Sequence, residues 1–116
     1  METIKIWHNP RCSKSRDSFN LLVEKGIEAE VVKYLEDVPT KKELTELLKM
    51  LNMTARELMR TKEDIYKELN LKDETSEEAL TEAMVVNPKL IERPIVIRGN
   101  KAVIGRPIEK VIELIS

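Results

Sequence analysis

The chain holds one cysteine, Cys12, and one histidine, His8, with Arg11, Lys14 and Arg16 close by. A thiol is a nucleophile only as thiolate, so the question is what would favour that form at Cys12. Asn9-Pro10 is a turn signal, and a helical pattern begins at Ser13. Cys12 therefore falls between a strand-ending turn and a helix start. Backbone N–H groups at a helix start lack intrahelical partners. The macrodipole adds about 0.3–1 kcal/mol in favour of a nearby anion. Arg11, Lys14 and Arg16 add cationic charge, and a protonated His8 would add more. The same donors would cradle an oxyanion. This arrangement suits a thiolate attacking a bound tetrahedral oxyanion. The plainer alternative is that Cys12 is a small buried apolar residue. His8 likewise has three readings: a packing residue at a strand end, a hydrogen-bonding residue of the turn, or a group that tunes Cys12 or shuttles a proton. A phosphatase-type C-x5-R loop is excluded, because the required arginine position holds Ser18.

Composition narrows the rest. One Cys in 116 residues cannot form an internal disulfide. One Cys and one His cannot build a His/Cys zinc site or a cysteine-ligated iron–sulfur centre, so no metal and no tightly bound cofactor is expected. Gly26, Gly99 and Gly105 are too scattered for a dinucleotide or P-loop fingerprint. A net charge of -1 gives no basic face for nucleic acid. No stretch approaches the ~20 apolar residues of a membrane helix. The start, Met1 to Trp7, lacks the pattern of a signal peptide, so the cytosol is the expected compartment. Residues 63–82 carry eight acids against two bases and read as a solvated helical surface. With no obvious exposed apolar seam, a monomer is expected.

The elements that must position Cys12 follow from periodicity. Ile4-Lys5-Ile6-Trp7 alternates as a short strand. Phe19, Leu22 and Val23 share a helical face, and Gly26 suits the C′ position. Residues 29–34 are rich in β-branched types and predict a second strand. A β-α-β unit of this length predicts parallel strands. Thr40–Glu43 and Thr54–Glu57 fit capping boxes. The first precedes Leu44, Leu47, Leu48 and Leu51 at helical spacing, and the second opens a short helix ending near Arg60. Further helices are predicted at about 64–69 and from the opening Thr75-Ser76-Glu77-Glu78 through about Val85. Residues 94–98 and 101–104 form a hairpin through Gly99-Asn100, with Gly first as in a type II′ turn. Pro107 is placed in the first turn of a last helix carrying Ile108, Val111, Ile112 and Ile115. The order is β-α-β, a helical insertion at about 40–91, then β-β-α. It gives one α/β domain over 1–116 with a mixed four-stranded sheet of thioredoxin-like arrangement.

The segment His8-Asn9-Pro10-Arg11-Cys12-Ser13-Lys14-Ser15-Arg16 resembles the active-site pattern H-N-P-x-C-x-x-S-R of the glutaredoxin-coupled arsenate reductases. The resemblance continues, in family order over nearly the whole chain, at Tyr34-Leu35-Glu36, Leu58-Met59-Arg60, Tyr66-Lys67-Glu68-Leu69, Glu92-Arg93-Pro94-Ile95-Val96 and Gly105-Arg106-Pro107. It implies that Cys12 is the nucleophile and that His8 assists thiolate formation. It implies that Arg60, Arg93 and Arg106 surround the oxyanion, with Ser15 and Arg16 in support. It also makes Pro94 the cis-proline facing the active cysteine. Arg93 and Arg106 each stand before a proline at an element edge, whereas Arg60 by itself reads as a cation favoured at a helix C-terminus.

The implied reaction is reduction of arsenate to arsenite by Cys12, with glutathione as co-substrate and glutaredoxin as partner. An external thiol is required because the chain has no second cysteine to resolve an adduct. Well-characterised members often read Cys-Gly-Thr-Ser, while this chain reads Cys12-Ser13-Lys14-Ser15. Two alternatives therefore stand beside arsenate reduction. One is a regulatory or protein-binding module related to the Spx-type regulators, which usually carry C-x-x-C where this chain has Ser15. The other is thiol exchange on a different substrate, such as a glutathionylated protein.

Overall fold

The alternation of Ile4–Trp7 produces β1, whose Ile4, Ile6 and Trp7 are buried while Lys5 is exposed. In the computed structural model, which describes residues 3–116, β1 pairs in parallel with β2 (Glu30–Val32). Met1 and Glu2, the polar start of the chain, lie outside the described residues. On its other side β1 pairs antiparallel with β3 (Ile95–Arg98), with Ile6 opposite Val96. Strand β3 forms the expected hairpin with β4 (Lys101–Ile104). Gly99 has φ 59°, as the first central position of a type II′ turn requires. The sheet order is β2-β1-β3-β4, the thioredoxin-like arrangement.

The described chain divides into two compact units: the residues up to Asp37 with Arg93–Ser116, and Val38–Glu92. The first unit contains the sheet, α1 (Ser13–Glu24) and α6 (Glu109–Ile115). Leu22 of α1 and Val111 of α6 bury against Ile4, Ile6 and Val96. Each such aliphatic side chain contributes about 1.5–3 kcal/mol when fully buried. Trp7 stacks on Tyr34 with ring centroids 6.5 Å apart. Helix α1 ends as expected, with Gly26 at φ 71° after the Lys25 cap.

One facing and two boundaries differ from the sequence reading. Periodicity puts Val23 on the inner face with Leu22, yet it is 59% exposed, because Phe19 and Leu22 already fill the stripe over the sheet. Strand β2 is only three residues long. The last helix starts at Glu109, with Ile108 as its N-cap, so Pro107 precedes the helix and is joined to Arg106 by a cis bond.

The second unit is helical: α2 (Lys41–Leu51), α3 (Ala55–Leu58), α4 (Asp64–Glu68) and α5 (Glu77–Val86), with 3-10 turns at Leu71–Asp73 and Pro88–Leu90. Both predicted capping boxes form, at Thr40 with Glu43 and at Thr54 with Glu57. Helices as short as α3 and α4 are not stable alone. Arg56 ties them together by donating to the Tyr66 hydroxyl, to the Leu71 carbonyl at 3.1 Å and to the Glu74 carbonyl. The acidic run is largely the expected solvated surface, since Asp64, Glu68, Asp73, Glu77, Glu78 and Glu82 are exposed, and some of its acids also have partners. Glu63 pairs with Arg60, Glu77 accepts the Ala55 N–H at 2.7 Å, and Glu78 pairs with Lys41 at 2.7 Å.

Candidate active site

The site grows out of the end of β1. The His8 N–H donates to the Val32 carbonyl at 2.8 Å, which carries the chain one residue beyond the strand. Asn9 then accepts the Arg11 N–H on its side-chain oxygen at 3.0 Å and the Cys12 N–H on its carbonyl at 3.0 Å. Such Asx turns are why asparagine favours this position. Cys12 is the N-cap of α1, in extended conformation at φ -99° and ψ 124°. Its carbonyl accepts the Arg16 N–H at 3.0 Å, the first helical bond.

This placement aims the unpaired end of α1 at the sulfur. Burial pushes the thiol up, but other contributions outweigh it and hold Cys12 below its ordinary value. They are the Ser15 backbone N–H, the Arg93 charge, the Lys14 backbone N–H and a hydrogen bond from the Arg93 side chain. Arg106 also reaches the sulfur, with Nη2 3.6 Å from Sγ. Its Nε donates to the Arg93 carbonyl at 2.7 Å, which ties the Arg106 side chain to the segment before β3. Cys12 is half-buried, open enough for a reactant to reach.

The cations at the thiol are thus not the ones adjacent in sequence. Arg16 turns its guanidinium back to the Pro10 carbonyl at 3.0 Å and closes the turn. Arg11 and Lys14 are exposed, and Lys14 acts on the sulfur through its backbone. Side chains at a helix start splay outward, whereas the segments before β3 and after β4 deliver Arg93 and Arg106 to the sulfur.

Of the three readings open for His8, the structure shows packing and hydrogen bonding in the turn. Burial, then the charges of Lys33 and Arg16, hold the imidazole below its usual value, so it is neutral at pH 7 and adds no positive charge. The ring stacks on Phe19 with centroids 5.3 Å apart, and its Nδ1 lies 2.6 Å from Ser15 Oγ. Ser15 Oγ also accepts the Asn9 N–H at 2.9 Å. A neutral ring can accept a hydrogen bond from the Ser15 hydroxyl at Nδ1. His8 therefore locks the first turn of α1, whose Ser15 N–H acts on the thiol.

Sequence reasoning gave no role to Gly105. A β-carbon there would lie 2.6 Å from Ser18 Oγ and 2.8 Å from Pro94 Cγ. Its N–H donates to the Pro94 carbonyl at 2.9 Å. Pro94 follows a cis bond from Arg93. Glycine here lets the Arg106 segment pack directly on the Arg93-Pro94 segment.

Arg60 belongs to the other unit. Its N–H donates to the Leu90 carbonyl at 2.7 Å, beside a bridge between Met59 and Ile91. Its guanidinium pairs with Glu63 and approaches Glu92 at 3.8 Å. A cleft of about 730 Å3 also lies in that unit, lined by Lys41, Leu48, Met53 and Glu57 among others. None of the predicted site residues lines it.

The profile of the ArsC family matches residues 7–114. The chain belongs to the ArsC family. It is 62% identical over 115 residues to YfgD of Escherichia coli K12, described as uncharacterized, covering 97% of each chain. It is 50% identical over 113 residues to an arsenate reductase of Neisseria meningitidis, covering 96% of this chain and 97% of that one. The structure of an arsenate reductase from Vibrio cholerae superposes with a TM-score of 0.93 at 49% identity, over 97% of each chain. No helix among the described residues is long and apolar enough to cross a membrane.

Proposed function

We propose that this ArsC-family protein is a cytosolic oxidoreductase that reduces arsenate to arsenite with an external thiol. The observation that carries the reading is the Cys12 sulfur at the N-terminus of α1, lowered in pKa and contacted by Arg106 at 3.6 Å. Relatives named arsenate reductase support the substrate. Guanidinium groups suit a tetrahedral oxyanion because they are permanently charged and can bind it bidentately. In this reading Arg93 and Arg106 bind the oxyanion, Arg60 is a further ligand, and His8, Ser15, Arg16 and Pro94 position the site.

The Cys12 thiolate attacks arsenic(V), forming an S–As bond as one oxygen leaves as water. Glutathione displaces a second oxygen as water and forms a second S–As bond. The thiolate of glutaredoxin then attacks the glutathione sulfur. The pair of that S–As bond stays on arsenic, which becomes arsenic(III), and the mixed disulfide carries the oxidation away. Water releases arsenite and returns Cys12 as thiol. One arsenate thus takes two electrons from two external thiols, with no tightly bound cofactor. The test is the coupled assay with arsenate, glutathione and glutaredoxin. Wild type should turn over and Cys12→Ser should fall to background; full turnover by Cys12→Ser would refute the mechanism.

A further inference from the structure

A second cleft, of about 210 Å3, lies against the turn that carries Cys12. Its walls are His8, Pro10 and Arg11 on one side and Lys33, Leu35 and Glu36 on the other. Arg11, Lys33 and Glu36 are exposed, and Leu35 is 40% exposed. The cleft thus offers two cations, one carboxylate and one apolar surface within a small concavity. Arg11 and Cys12 are consecutive, about 3.8 Å apart at Cα. Cys12 does not itself line the cleft, but it directly follows Arg11 in the turn that forms one wall.

We propose that this cleft is the binding subsite for the external thiol, and that it selects a short peptide thiol carrying two carboxylates and one ammonium. Arg11 and Lys33 take the carboxylates, Glu36 takes the ammonium, and Leu35 covers the peptide's apolar atoms. Glutathione has this charge pattern. The inference rests on the reading of Cys12 as a nucleophile resolved by an external thiol, and it adds where that thiol is recognised. The reacting groups are unchanged: the cleft only binds the peptide whose sulfur attacks the Cys12 adduct.

Two measurements on the whole protein test it. The first compares glutathione with 2-mercaptoethanol, which lacks the charges, as the thiol in arsenate reduction. Lys33→Glu should lower the ratio of the two kcat/KM values about fivefold or more, as loss of an ion pair and its reversal imply. An equal loss with both thiols would mean that Lys33 acts through His8 and the nucleophile, and would overturn the subsite. The second titrates the unreactive S-methylglutathione and follows backbone amide signals. Shifts should centre on residues 33–36 and weaken in Lys33→Glu and in Glu36→Lys. Shifts elsewhere, or none, would overturn the proposal. If wild type reduces no arsenate with any thiol, the proposed function fails while this titration still reads the subsite.

Discussion

Replacing Gly105 with alanine inserts a methyl group where three neighbours already stand. The new carbon would lie 2.6 Å from Ser18 Oγ, 2.8 Å from Pro94 Cγ and 3.2 Å from Val111 Cγ2. None of these can swing away easily. Ser18 and Val111 are fully buried, and Pro94 is a ring closed onto the backbone. The Gly105 N–H bond to the Pro94 carbonyl also opposes separation of the two segments. Overpacking of this kind costs about 1–3 kcal/mol. Gly26→Ala is the natural comparison, since its methyl would meet nothing within 4 Å but its φ is +71°. That change costs about 1–2 kcal/mol through backbone strain alone. Total cost therefore does not separate the mechanisms, but Ser18→Ala does. Ser18 Oγ is buried with no hydrogen bond among the described residues, so its loss alone should change stability little. Combined with Gly105→Ala, it should recover at least ~0.5 kcal/mol, the usual coupling of touching residues. Combined with Gly26→Ala it should recover nothing. Urea denaturation with a common m value measures wild type and all five variants. Because Gly105 precedes Arg106 and packs on Pro94, Gly105→Ala should also slow iodoacetamide alkylation of Cys12 near neutral pH. Strict additivity of Ser18→Ala and Gly105→Ala would refute the steric account, and unchanged alkylation would refute its link to the site.

Three further outcomes follow from the structure. His8 is held below its usual value, so the unfolded chain binds a proton more readily than the fold does. Its contribution to stability is complete above the unfolded value of about 6.5 and declines as pH falls below it; urea midpoints from pH 7.5 to 5.5 should show a slope that His8→Asn reduces. Glu63 pairs with Arg60, so under the proposed function Glu63→Gln should lower KM for arsenate with little change in kcat, while stability moves by no more than about 1 kcal/mol; a raised KM would count against Arg60 as a ligand. Arg56 gathers Tyr66, Leu71 and Glu74; Arg56→Leu should cost about 1.5–3 kcal/mol in denaturant unfolding, the range for hydrogen bonds to a charged group.

Much of the scaffold was legible because its signals are local. The capping boxes at Thr40 and Thr54, the Gly99-Asn100 turn and the alternation of Ile4–Trp7 each act within a few residues. Periodicity could not show that Val23 faces outward, since that depends on how much of the α1 face the sheet covers. The site was legible in part. Cys12 at a helix start followed from Asn9-Pro10 and the pattern after Ser13. The cations that reach it did not follow from proximity, since they arrive from positions 93 and 106 through folding of the sheet. The neutral state of His8 was hidden for the same reason: burial and Lys33, which follows β2, set it. Arg56 carried no signal at all, because its partners are backbone carbonyls and a hydroxyl brought near only by the packing of short helices.

The distribution of these groups separates two properties that a single active-site pattern would merge. The groups that lower the thiol or reach its sulfur, the Ser15 and Lys14 backbone N–H, Arg93 and Arg106, all belong to the sheet-bearing unit. Arg60 stands in the helical unit with two carboxylates of its own, Glu63 and Glu92. Under the proposed function its charge is available to an oxyanion only against that competition. Changes at Glu63 or Glu92 should therefore alter affinity for the oxyanion while leaving the reactivity of Cys12 toward a neutral alkylating agent in place. Changes at Gly105 or Ser15 should do the reverse first, weakening the nucleophile whatever substrate is offered. Under the proposed function, substrate preference would shift through the acids around Arg60 without altering the Lys14 and Ser15 backbone N–H groups that act on Cys12.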